Sequence, residues 1–111
     1  MRKLILMAAM LGVLAAPLAQ AQAASFNCRY ARYPDEVAIC QSPSLSALDE
    51  EMASLYFDVL QRLRQEGDWR ALRAIKRGQH RWLLGRHRCG YNFRCIRRSI
   101  ERRIDYLSGW L

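Results

Sequence analysis

The chain has 111 residues, 18 basic against 10 acidic side chains, a formal net charge of +8, four cysteines and 51% hydrophobic residues. That length excludes anything larger than one small domain. The charge and the cysteines then have to be read against the compartment, which the first residues indicate.

Met1-Arg2-Lys3 is a positive start, Leu4 to Ala16 is an almost unbroken apolar stretch, and Pro17 to Ala23 ends in small residues with A-x-A spacing. This is the pattern of a secretory signal peptide over residues 1–23. Cleavage fits best after Ala23, with Ala21 the alternative. The apolar run is shorter than the roughly 20 residues a membrane-crossing helix needs, and no second run follows, so a mature chain over 24–111 is expected to lack a transmembrane segment. The first cysteine, Cys28, lies too far downstream to be a lipoprotein anchor. A periplasmic or secreted protein is expected, and loss of Arg2 and Lys3 lowers the net charge to +6.

Export accounts for the cysteines. Cys28, Cys40, Cys89 and Cys95 are an even set in a short exported chain, where disulfides supplement a modest core. Three connectivities exist in principle. The closeness of each pair in sequence, with helical segments between the pairs, favours Cys28 with Cys40 and Cys89 with Cys95. A zinc site is the competing reading, and neither spacing is of the C-x2-C type it favours.

The irregular stretch Ser25–Gln41 allows a single helical turn at Pro34–Ile39, with a Cys28–Cys40 bridge closing it as a flap. In the first long segment Leu45, Leu48, Met52, Leu55, Tyr56, Val59, Leu60 and Leu63 recur every three or four residues, one face of a helix over about Pro43–Gln65. Ser42 before Pro43 is a start signal and Gly67 a stop. A second helix begins near Asp68 and ends near Arg88, with Trp69, Leu72, Ile75, Gln79, Trp82 and Leu83 on one face. Gly78 and Gly85 interrupt it at a cost of about 1 kcal/mol each relative to alanine. With Ala71 and Ala74 they form a small-residue strip, read as close helix packing, a docking groove being the alternative. A third helix follows Asn92, its stripe Phe93, Ile96, Ile100, Ile104, Leu107 and Leu111 running to the last residue. Three amphipathic helices with short connections bury their stripes against one another. The expected fold is therefore all-α, a small antiparallel three-helix bundle with a disulfide-stapled N-terminal flap.

No catalytic constellation emerges. The serines occupy caps, loops or helix positions, none in a strand-to-helix elbow, and Asp49, Glu50 and Glu51 lie near the start of a helix rather than across a cleft. His80 and His87 lie on one side of the second helix among arginines, an arrangement expected to be exposed and to hold no metal. No enzyme and no cofactor is expected. Asp49 borders the apolar stripe beside Leu45, Leu48 and Met52, so it needs a cation. Arg81 or Arg86 of the second helix is the expected partner in a structural ion pair.

Of the 16 basic residues after Lys3, 12 lie between Arg70 and Arg103, while the acidic ones are mostly earlier. Arginine interleaved with aromatics is a nucleic-acid signature, but export argues against that partner. Anionic envelope glycan or lipid, or the carboxylates of a protein, are the expected counterparts; a solvated basic face without a specific ligand is the simpler reading.

Cys28, Ile39-Cys40, Leu45, Leu48-Asp49, Tyr56, Gln79, Arg81-Trp82-Leu83, Arg86, Cys89, Cys95 and the closing Arg103–Leu107 form a pattern spanning nearly all of residues 24–111. The two cysteine pairs bracket an L-x-x-L-D helix and a Q-x-R-W-L-x-x-R helix, and in this order they resemble the LprI-like domain, named after a bacterial lysozyme inhibitor. The resemblance implies a small, exported, helical domain that inhibits lysozyme or binds another envelope protein. It directs attention to Arg88, Tyr91 and Arg94 around the Cys89–Cys95 loop as candidate partner-binding residues.

Overall fold

The computed structural model describes residues 24–111, so the proposed signal peptide lies outside the described residues. A 3-10 turn at Cys28–Tyr30 precedes four helices: α1 (Pro34–Gln41), α2 (Pro43–Glu66), α3 (Trp69–His87) and α4 (Phe93–Ser108). The described residues hold no strand, in keeping with the all-α expectation.

The sequence signals for starts and stops act as read. The Ser42 hydroxyl accepts from the Leu45 amide at 3.2 Å, Asp68 from Ala71 at 3.1 Å, and Asn92 from Cys95 at 3.0 Å. Each satisfies a donor that the first helical turn leaves unpaired. Gly67 ends α2 with φ 70°, a left-handed conformation that costs glycine little.

Chain direction follows from the cross-helix contacts. Asp49 meets Arg86 and Met52 meets Gln79, so α3 runs back along α2. Gln79 meets Arg103 and Trp82 meets Ser99, so α4 reverses again. Ser44 meets Arg97 near one end and Arg62 meets the backbone of Trp110 near the other, leaving α2 and α4 parallel. The three long helices thus form the expected up-down-up bundle. Leu45, Val59, Ile75, Ile96, Ile100 and Leu107 are at most 1% exposed at its centre. Each is worth about 1.5–3 kcal/mol of apolar transfer.

Two expectations need correction. The flap is more than one helical turn: α1 has eight residues and seals the core with Ala38 and Ile39, both fully buried. The Ser46 hydroxyl donates to the Ile39 carbonyl at 2.6 Å, bonding the end of α1 to the start of α2. The apolar stripe of the last helix also stops short. α4 ends at Ser108, leaving Leu111 about half exposed, and Trp69 at the start of α3 likewise faces solvent.

The disulfides join Cys28 to Cys40 and Cys89 to Cys95, the local pairing. One fastens the chain before α1 to its last turn; the other closes the connection between α3 and α4. Among the described residues no helix is long and apolar enough to cross a membrane.

Candidate interaction surface and its buried anchor

Asp49 faces inward on α2, fully buried, and its cation is Arg86, whose Nη1 lies 3.3 Å from Oδ1. Arg81, the other expected partner, is exposed and takes no part. Its side chain lines a shallow concavity on α3 with Lys76, Arg77 and His80. The reason is angular: Arg81 precedes Arg86 by five residues, about 140° around a helix of 3.6 residues per turn, so both cannot point at α2.

Arg86 also serves an acid that sequence reading missed. Its Nε donates to Asp35 Oδ2 at 2.7 Å, and Asp35, in the first turn of α1, is fully buried. His87 Nδ1 lies 2.9 and 3.0 Å from the two Asp35 oxygens, and the His87 ring stacks on Tyr33 with centroids 3.9 Å apart. His87 is therefore a partly buried structural residue rather than an exposed neighbour of His80. The Arg86 guanidinium further lies 5.4 Å from the centre of the Trp82 ring, within cation–π range. The Trp82 indole N–H donates to the Ser99 carbonyl on α4 at 3.1 Å. One arginine thus ties α1, α2 and α3 together, and its aromatic neighbour extends the tie to α4.

A second polar contact fills the middle of the bundle. Arg103 on α4 is 8% exposed; its Nε donates to Gln79 Oε1 at 2.8 Å, and its guanidinium lies 4.9 Å from the Tyr106 ring. Burial pulls the Arg103 pKa down, partly offset by Tyr106 and Tyr56. Burial also raises the Tyr56 pKa, against the pull of Arg103 and Arg64. A Cβ at Gly78 would sit 3.7 Å from Arg103 Nη2, so this glycine borders the buried guanidinium. Gly85 borders Arg88 in the same way, and Ala74 is exposed. At the two glycines the neighbours are therefore arginine side chains, while Ala71 packs against the hydrophobic core.

Between α2, α3 and the residues before α1 lies a cleft of about 240 Å³, walled by Phe26, Met52, Tyr56, Phe57, Trp82 and Leu83. Asp49, Arg86, Ser25, Glu36 and Gln79 supply its polar side.

The anchored end of the bundle carries the surface singled out from sequence. Arg88, Tyr91 and Arg94 are all exposed, on or beside the disulfide-closed loop. Tyr91 packs edge-on against exposed Phe93 with centroids 5.3 Å apart, and its hydroxyl donates to Gln41 Oε1 at the end of α1. Tyr33 sits at the opposite end of α1, half exposed over His87. Eight helical residues span about 12 Å, so Tyr33 and the Tyr91–Phe93 pair lie at the two ends of α1. Arg32, Arg88 and Arg94, neighbours of these aromatics in sequence, are all exposed. The Cys28–Cys40 and Cys89–Cys95 disulfides staple this end of the bundle.

These features define a disulfide-stapled helical domain with exposed aromatic and arginine side chains at one end. Among the described residues no three His, Cys, Asp or Glu side chains converge as a metal site. Comparison of the chain with family models, curated proteins and solved structures gives no match.

Proposed function

We propose that this is an exported, non-enzymatic binding protein of the LprI-like type that blocks a muramidase cleft by protein–protein contact. The observation that carries the reading is the exposed Tyr91–Phe93 pair, with exposed Arg88 and Arg94 on or beside the same disulfide-closed loop. Tyrosine and arginine dominate the energetics of many protein interfaces. A muramidase cleft carries carboxylates, which arginine engages through two parallel hydrogen bonds. The sequence resemblance and the local disulfide pairing support the same reading, and the disulfides suit an oxidising compartment. A net charge of +6 slows approach to a cationic muramidase, so the attraction must be local to the cleft.

Calorimetric titration of the processed protein into a muramidase tests this. Binding is expected for the native protein and a loss of about tenfold or more for Tyr91→Ala with Arg94→Ala, the effect of a modest hot spot. Equal affinity of native and variant would refute the assignment of this surface.

A second reading rests on a separate observation. Lys76, Arg77, His80 and Arg81 line one concavity on α3, a place for an anionic glycan or lipid phosphate in an envelope adaptor role. Binding to phosphate-bearing vesicles that weakens steeply with salt, and is lost in Arg77→Ala with Arg81→Ala, would favour it.

A further inference from the structure

Asp35 and Asp49 are both fully buried, and they share the single guanidinium of Arg86. Two carboxylates on one cation leave one negative charge over, and buried charges persist only when compensated. Asp35 has a second side-chain partner in His87. Asp49 has none among the described residues. Its contacts are Arg86 Nη1 at 3.3 Å, longer than the roughly 2.7–2.9 Å of a good charge-assisted bond, and the backbone N–H of Ser25 at 2.7 Å. The residue before Ser25 is Ala24, 6% exposed, within the hydrophobic core cluster.

We infer that the α-ammonium of Ala24, created when the leader is cut after Ala23, is the missing counter-charge of Asp49. The nitrogens of Ala24 and Ser25 are three covalent bonds apart, about 3 Å, so the ammonium lies within about 6 Å of Asp49 Oδ2, inside the range where opposite charges stabilise one another. In the precursor the same nitrogen is a neutral amide, so processing adds a charge where the fold lacks one. Three charged groups line the cleft that Ser25 borders: Asp49 from α2, Glu36 from α1 and Arg86 from α3. Two of the three are acidic, and their attraction for an ammonium has to exceed the cost of desolvating a group on Ala24, which is 6% exposed. Cleavage after Ala21 would instead place the charge two residues away, on Gln22. The inference rests on the export reading but not on the muramidase reading.

The test uses the full chain expressed with its leader and recovered after export. Mass spectrometry gives its first residue, and ¹³C reductive methylation followed by NMR titration reads its amines. Lys76 is the only lysine after Lys3, so two amine signals appear, with Lys76 as the internal control. The expected result is Ala24 as first residue and an α-amine that titrates higher in the folded protein than in urea, the difference vanishing in Asp49→Asn. A raised pKa means the stabilisation is complete below the unfolded value of about 7.7–8.0 and is lost as pH rises through the folded one. N-terminal acetylation should therefore lower Tm by roughly 5 °C at pH 6, with the gap closing by about pH 10. Gln22 as first residue, or an α-amine titrating alike in folded and unfolded protein, would overturn the inference while leaving export intact. An exported-fraction search that recovers only unprocessed chain would overturn both. If Asp49→Asn does not fold, the folded-against-urea comparison on the native protein decides.

Discussion

Replacing Arg86 with alanine removes the one cation that, among the described residues, touches both buried acids. Asp35 and Asp49 are then left fully buried without their 2.7 and 3.3 Å contacts, and Trp82 loses its cation–π partner. Breaking a buried ion pair from one side costs about 3–5 kcal/mol, because the remaining charge is uncompensated. His87 still meets Asp35 and the Ser25 amide still meets Asp49, which places the expected loss inside that range rather than at the sum of two pairs. For a domain of this size each kcal/mol corresponds to about 4–8 °C, so Tm should fall by roughly 12–40 °C. The assay is thermal and urea unfolding at pH 7 with intact disulfides, followed by circular dichroism. Arg81→Ala is the control and should stay within about 0.5 kcal/mol, as its side chain is exposed. A loss below about 1 kcal/mol for Arg86→Ala, or equal losses for the two variants, would refute the reasoning.

Gly78→Ala should raise stability by up to about 1 kcal/mol, because an added Cβ meets Arg103 at ordinary contact distance and the helix gains propensity; a lower Tm in the same melts would contradict this. Loops of 12 and 6 residues are closed by Cys28–Cys40 and Cys89–Cys95, so paired serine replacements should cost about 2.8 and about 2.2 kcal/mol on the chain-entropy estimate, read from urea midpoints. The Tyr56 pKa is raised above its ordinary 10.0 by burial, so its contribution to stability is present below pH 10 and lost as pH climbs through the folded value. Tyr56→Phe should flatten that alkaline loss in melts between pH 8 and 11, and an unchanged slope would count against it.

The three long helices could be read from sequence because their apolar residues recur at helical spacing and their caps are local. Ser42, Asp68 and Asn92 each bond an amide three residues on, well inside the reach of a sequence window. Asp49 was also visible, since an acid beside an apolar stripe announces a partner. The choice between Arg81 and Arg86 was not resolved, although helical angle alone decides it once α2 and α3 are set side by side. Asp35 and His87 were beyond local reading. Their contact closes across 52 residues and depends on α1, a short helix whose acid is buried by tertiary packing and not by its own pattern. In the sequence Arg103 stands out only as part of the closing Arg103–Leu107 motif. Its burial could have been suspected from Gly78, since an interior glycine near an arginine-rich partner helix leaves room for a guanidinium.

In the proposed function, the exposed aromatic and arginine side chains around the Cys89–Cys95 loop close a muramidase cleft. Lysis of a peptidoglycan suspension by a muramidase, followed by turbidity with excess processed protein, tests it most directly. Dose-dependent slowing of lysis by the native protein is expected, with most of that effect lost in Tyr91→Ala combined with Arg94→Ala at a temperature where the variant stays folded. Lysis at full rate in the presence of excess folded, disulfide-intact protein would contradict it.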